Sequence, residues 1–99
     1  MSILHTVNHV RYSLFEHSVL PVLQGGDTLL LMDNGVYLSL LSPVQRALEG
    51  VGCDCWLLAN DAQCRGVTPL SLFVYVTMDQ VVEAHVRYEK TLTWHVAGQ

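Results

Sequence analysis

The apolar positions of this chain fall into five short strand-like runs, separated by stretches of helical spacing and turn residues. Ile3 to Val7 is read as a first strand. Ser13 stands three residues before Glu16, an S-x-x-E capping box that opens a helical run to about Leu23. Phe15, Val19, Val22 and Leu23 share one face of that run at i, i+4, i+7 and i+8. Pro21 lies inside it and is expected to kink it or loosen a turn, since proline lacks the N–H and crowds the carbonyl four residues back. Gly25-Gly26 ends the element.

Thr28 to Met32 is a near-continuous apolar run, the pattern of a strand covered on both faces. Asp33-Asn34-Gly35 follows as a turn, and Val36 to Leu41 leads into a second helix with Ser42 as cap, Pro43 in its first position and Gln45 completing a capping box. That helix ends near Gly50, and Gly52 introduces a strand from Cys53 to Leu58. Asn60 is the expected cap of one or two helical turns closed by Gly66. After the break at Thr68-Pro69, Leu72 to Val76 gives another strand. Thr77 and Gln80 form a third capping box, opening a helix from Met78 to about Tyr88 with Val81, Val82 and His85 inward and Asp79, Glu83 and Arg87 outward. Thr91 to Val96 alternates and is read as a final edge strand. The order β-α-β-α-β-α-β-α-β implies parallel pairing through right-handed crossovers. The expected fold is α/β, a single three-layer domain over residues 1–99 with a mostly parallel sheet and helices on both faces.

Composition adds a constraint that pattern alone does not. Hydrophobic residues make up 51% of the 99 and charged residues only 14%, against roughly 25% charged in an ordinary soluble domain. So much apolar residue on so small an interior predicts that another chain covers part of it, hence an obligate oligomer. A net charge of −4, with basic groups only at Arg11, Arg46, Arg65, Arg87 and Lys90, argues against direct nucleic-acid binding, which needs clustered cations. No apolar stretch approaches the ~20 residues of a membrane span. Met1 to Asn8 has no basic region followed by a long apolar segment, so no signal peptide is expected. Three cysteines, an odd number, fit a reducing cytoplasm better than a disulfide scaffold.

The glycine-rich nucleotide loops, H-E-x-x-H, G-x-S-x-G and paired C-x-x-C motifs are all missing from the sequence, and no cofactor or metal is called for. Cys53 and Cys55 project to the same side of a strand. They could form a persulfide carrier, a redox pair or half a soft-metal site, but two small buried residues in a central strand is the preferred reading. Cys64 is the candidate for reactivity, because Arg65 beside it would favour the thiolate. The histidines do not cluster: His5 and His9 span a strand and a turn, His17 and His85 lie on helices, and His95 falls in the last strand. Asp33 closes a strand at its carboxyl end, where α/β folds place ligand sites, although Asp-Asn-Gly is also ordinary turn chemistry.

Four stretches, in order, resemble the TusB/DsrH family of sulfur-relay proteins. Met1-Ser2-Ile3-Leu4-His5-Thr6 is similar to its M-L-H-T start, and Gly26 to Tyr37 to its strand followed by a (D/N)-G-V-Y turn. Leu57 to Val67 resembles its L-x-x-D-x-x-A-R-G-L segment, with Cys64 in place of the usual Ala. Tyr75 to Val82, followed by Trp94, is similar to its Y-x-x-F-V stretch and terminal Trp. The resemblance implies a DsrE/DsrF/DsrH-like α/β subunit of a cytoplasmic heterohexamer with TusC-like and TusD-like chains. Such a complex passes persulfide sulfur to a downstream carrier, toward 2-thiolation of the tRNA wobble uridine. DsrH-type members with a cysteine carry it in the first helix, whereas here Val19 stands near that place. The expected role is therefore non-catalytic. The alternatives are a subunit that itself accepts sulfur on Cys64, and a DsrEFH-type subunit in sulfur oxidation.

Overall fold

A computed structural model of the chain describes residues 2–94. Five strands, β1 (Ile3–Val7), β2 (Thr28–Leu31), β3 (Asp54–Leu58), β4 (Val74–Val76) and β5 (Lys90–Trp94), form one sheet in the order β4-β3-β2-β1-β5. Every pairing is parallel, so the α/β architecture stands as expected. Val96 and His95, assigned to the last strand from sequence, lie outside the described residues.

A parallel strand can be followed only by a crossover, and crossovers are right-handed. From β1 to β4 the chain steps one way across the sheet, so its connections cover one face. That face buries Val7, Leu29, Leu31, Cys55 and Leu57 against Phe15, Val19, Val44, Leu48 and Ala62. The return from β4 to β5 runs back past β1, and its helix α4 (Met78–Arg87) falls on the opposite face. There Val81 and Ala84 pack on Leu4, Leu30, Leu58 and Val76.

The helical segments explain where pattern reading went astray. Arg11, not Ser13, precedes the first turn, α1 (Tyr12–Leu14), and no side chain caps it. Pro21 acts as expected, but on both sides of itself. The helix widens into a π turn over Phe15–Val19, where Leu20 N–H donates to Phe15 O five residues back, and then tightens to a 3-10 turn over Leu20–Val22. The change of pitch keeps Phe15, Val19 and Leu23 in the core and rotates Val22 outward. Helix α2 (Ser42–Val51) starts one residue early because Leu41 is already extended at φ −91°, ψ 119°, so Ser42 caps nothing and Gln45 Oε1 is buried without a partner. Helix α3 (Ala59–Cys64) grows straight out of β3, which makes Asn60 its second residue rather than its cap. Only α4 realises its capping box: Gln80 N–H donates to Thr77 Oγ1 at 3.2 Å, and Thr77 N–H to Gln80 Oε1 at 2.8 Å. Its inner stripe is Val81 and Ala84, while Val82 and His85, expected inward, are exposed. Between β2 and α2 the chain forms a 3-10 helix over Asp33–Leu40.

The Asp33-Asn34-Gly35 turn divides its labour unexpectedly. The left-handed residue is Asp33, at φ 53°, a conformation aspartate tolerates better than most residues. Gly35 serves a different purpose. A Cβ there would lie 2.2 Å from Val7 O and 3.0 Å from Val7 C, both backbone atoms of the neighbouring strand β1. Val7 O also accepts the Met32 N–H at 3.1 Å, so the strand cannot recede. Gly35→Ala is therefore expected to destabilise the fold by about 2–4 kcal/mol through overpacking. Gly50, in α2 with nothing within 4 Å of a built Cβ, is the control: Gly50→Ala should stabilise by roughly 0.5–1 kcal/mol. Chemical denaturation of the two variants checks both signs.

Candidate functional site

The carboxyl ends of β2 and β3 bring together residues that lie about thirty positions apart. Asp33 follows β2, and its N–H donates to Asp61 Oδ2 on α3 at 2.5 Å. Arg65, just past the end of α3, spreads its guanidinium over three partners. Nη2 donates to Asp33 Oδ1 at 2.6 Å, Nε to Asn34 Oδ1 at 3.1 Å and Nη1 to the Asp61 carbonyl at 3.3 Å. The arrangement follows from the backbone: β3 passes into α3 without a linker, and Asp61 and Arg65 stand one helical turn apart beside the neighbouring strand's exit. Asp33 was a candidate on its position alone. Asp61 and Arg65 were not paired with it in sequence, and the available signal was their i, i+4 spacing directly after a strand. Two carboxylates on one guanidinium leave the cluster with a formal charge of −1. This geometry serves as a latch between the β2 exit and α3 rather than as a receptor for phosphate.

Cys64 is exposed at the end of α3. The Arg65 guanidinium expected to assist it is instead occupied by Asp33, Asn34 and Asp61. Cys53 and Cys55 are buried on the larger face of the sheet, their Sγ atoms 4.0 Å apart, with Cys55 Sγ 3.6 Å from the Cys53 carbonyl. The contact with Cys53, reinforced by burial, holds the Cys55 thiol far above its ordinary pKa. The preference for two buried core residues over a reactive pair agrees with this placement. Val19, which the resemblance sets near a first-helix cysteine position, is 1% exposed and packed in the core.

A second polar group was not foreseen. Asp27, 2% exposed, accepts from Ile3 N–H at Oδ1 (3.1 Å) and from Gln24 N–H (3.1 Å) and His5 Nε2 (3.2 Å) at Oδ2. Trp94 Nε1–H donates to His5 Nδ1 at 3.2 Å. An indole N–H can only donate, so His5 Nδ1 is the acceptor and the ring proton sits on Nε2, directed at Asp27. Asp27, His5 and Trp94 thereby join the start of β2 to β1 and β5 through the interior. His9 Nδ1 accepts Arg11 N–H at 3.1 Å at the exit of β1, and His17 and His85 are exposed on their helices. Among the described residues no three potential ligands gather for a metal ion.

Comparisons with known proteins bear on the family and the fold. A family model described as DsrH like protein matches residues 12–91. Among solved structures, the ychN protein from E. coli has a TM-score of 0.71 with this chain at 15% identity, over 95% of this chain and 99% of that one. At such identity the likeness is one of fold. Curated proteins give no match to the sequence.

The thiol placement is directly measurable. A disulfide-exchange reagent should titrate one thiol per folded chain, mapped to Cys64 by peptide mass spectrometry, and three in denaturant.

Proposed function

The chain belongs to the DsrH-like family, a sulfur-relay family, and on that premise we propose that it is a non-catalytic subunit of a cytoplasmic sulfurtransferase complex. Read as one domain over residues 1–99, it docks TusC-like and TusD-like chains in a heterohexamer that delivers persulfide sulfur toward 2-thiolation of the tRNA wobble uridine. The observation that carries this reading is Val19: where thiol-bearing relatives have a first-helix cysteine, this chain buries a valine. Two of its three thiols are buried as well. The missing first-helix cysteine favours the thiouridine branch over the sulfur-oxidation branch. Exposed Val10, Leu14, Tyr37, Leu40 and Leu41 supply apolar surface for docking.

In the relay, a thiolate attacks the outer sulfur of a donor persulfide. A new S–S bond forms as the old one breaks, the donor leaves as a thiolate, and no net oxidation occurs. In this reading both thiols belong to partner chains, and this subunit fixes their approach. The charge of −4 leaves tRNA contact to other components.

A second reading rests on one observation, the exposure of Cys64, which would let it accept sulfur directly. One experiment separates the two. A Cys53→Ala, Cys55→Ala, Cys64→Ser variant, assembled with its partner chains, should leave 2-thiouridine formation within about twofold of the wild-type rate, a difference of ~0.4 kcal/mol in barrier. Loss of thiolation in a complex that still assembles would refute the non-catalytic role. A mass increase of one sulfur atom on Cys64 after exposure to a persulfide donor would then assign the thiol.

A further inference from the structure

Cys53 and Cys55 are left unused by the proposed function, yet their geometry is not that of two ordinary neighbours on a strand. Residues two apart along a strand stand about 6.6 Å from each other, with side chains parallel. The two sulfurs are 4.0 Å apart instead, so the side chains lean together. The position of Cys53 allows this. The paired residues of β3 begin at Asp54, opposite Thr28, and Cys53 precedes them, directly after Gly52 in its left-handed conformation at φ 77°. Cys55 is held in the ladder opposite Leu29, and its Sγ also reaches the Cys53 carbonyl at 3.6 Å. The contact with Cys55 holds the Cys53 thiol below its ordinary pKa, although burial and the Asp27 and Asp54 carboxylates act the other way, while Cys55 is held above its own. One sulfur is thus disposed to be the thiolate and its neighbour to keep the proton.

We propose that Cys53 and Cys55 form a site of reversible two-electron oxidation by hydrogen peroxide, in which Cys53 reacts first and Cys55 resolves it to an internal disulfide. Burial selects the oxidant. At 7% and 4% exposed, the thiols are out of reach of another chain's persulfide or a bulky disulfide reagent, whereas peroxide is little larger than water. The pair therefore stands outside any relay of sulfur between chains, and its chemistry is a property of this chain alone. The Cys53 thiolate attacks one peroxide oxygen. The O–O bond breaks, the other oxygen leaves as hydroxide and is protonated to water, and Cys53 becomes a sulfenic acid. The Cys55 sulfur then displaces the sulfenic hydroxyl and gives its own proton to it, so that the S–O bond breaks, an S–S bond forms and a second water leaves. Two thiols lose two electrons, and one peroxide is reduced to two waters. An S–S bond is about 2 Å long, so the sulfurs close by roughly half their separation, and Cys53, the residue outside the ladder, is the one that moves. A thiol reductant reopens the bond.

Mass spectrometry of the folded Cys64→Ser chain, which lacks the exposed thiol, tests it. After a slight excess of hydrogen peroxide, a catalase quench and alkylation in denaturant, the chain should have lost two hydrogen atoms and taken up no alkyl group. Reduction before alkylation should restore both thiols. In the same background, Cys55→Ser keeps a hydroxyl donor beside Cys53 but no second sulfur, and it should stop at a sulfenic acid that dimedone traps on Cys53. Cys53→Ala should leave Cys55 unmodified. Circular dichroism checks that each variant is folded. Two alkylated thiols after an exposure that fully oxidises a free cysteine peptide would overturn the proposal. So would a gain of oxygen with no internal disulfide, a disulfide between chains, or a sulfenic acid on Cys55 in the Cys53→Ala chain.

Discussion

An all-parallel sheet allows no hairpins, and that restriction organises the rest of the molecule. Each strand must be followed by a crossover, each crossover takes the same hand, and the chain reverses direction across the sheet once. Three connections therefore share one face, and α4 has the other to itself. The larger core lies under the three, where Phe15, Val44, Leu48 and Ala62 close over β1, β2 and β3. The smaller one is built from α4 and the residues alternating with those on the same strands. A helix flanked by no other helix on its face keeps its sides exposed. The same restriction collects every strand exit at one edge of the sheet, where the Arg65 latch forms between the ends of β2 and β3. Gly35 is needed at that edge because the turn after β2 passes against the last carbonyl of β1.

The polar residues inside the sheet are arranged to hold register rather than to react. Asp27 satisfies three donors from the start of β1, the loop before β2 and the His5 ring. His5 in turn accepts from Trp94 on β5. A one-residue slip of β1 against β2 would turn His5 to the other face and leave the buried Asp27 carboxylate without that donor, an outcome costing several kcal/mol. This network resembles a catalytic array in composition, yet His5 and Asp27 are both sealed from solvent. Its position, not its chemistry, identifies it as structural.

Hydrophobic patterning made the fold readable, because five strands and alternating helices leave an unambiguous period in the chain. Details failed where two local signals competed. Ser13-x-x-Glu16 and Ser42-x-x-Gln45 have the spacing of capping boxes, but the extended residue is Arg11 in the first case and Leu41 in the second, so the helices begin at Tyr12 and at Ser42 itself and neither serine is a cap. Thr77-x-x-Gln80 succeeded because β4 ends directly before it. Val82 and His85 were expected inward because valine is apolar and a helix has only one obvious apolar face; α4 has two, and the stripe of Val81 and Ala84 takes the sheet. Arg65 was read beside Cys64 because the two are adjacent in the chain. Its guanidinium reaches back to the β2 exit instead, a relation that depends on strand order and is invisible in a single sequence.

Composition and structure meet in the surplus of apolar residues. The core takes up the side chains that the two faces can bury, and eleven large hydrophobic residues of the described chain remain at least a third exposed. They lie in three segments: around the first helical run, on the 3-10 helix after β2, and on β4 with α4. A monomer could lower its aggregation hazard by charging these places, and a chain with only 14% charged residues has not done so. The surface is thus apolar on helix after helix while its one exposed thiol sits beside a guanidinium engaged elsewhere. So apolar a surface suits contact with other chains.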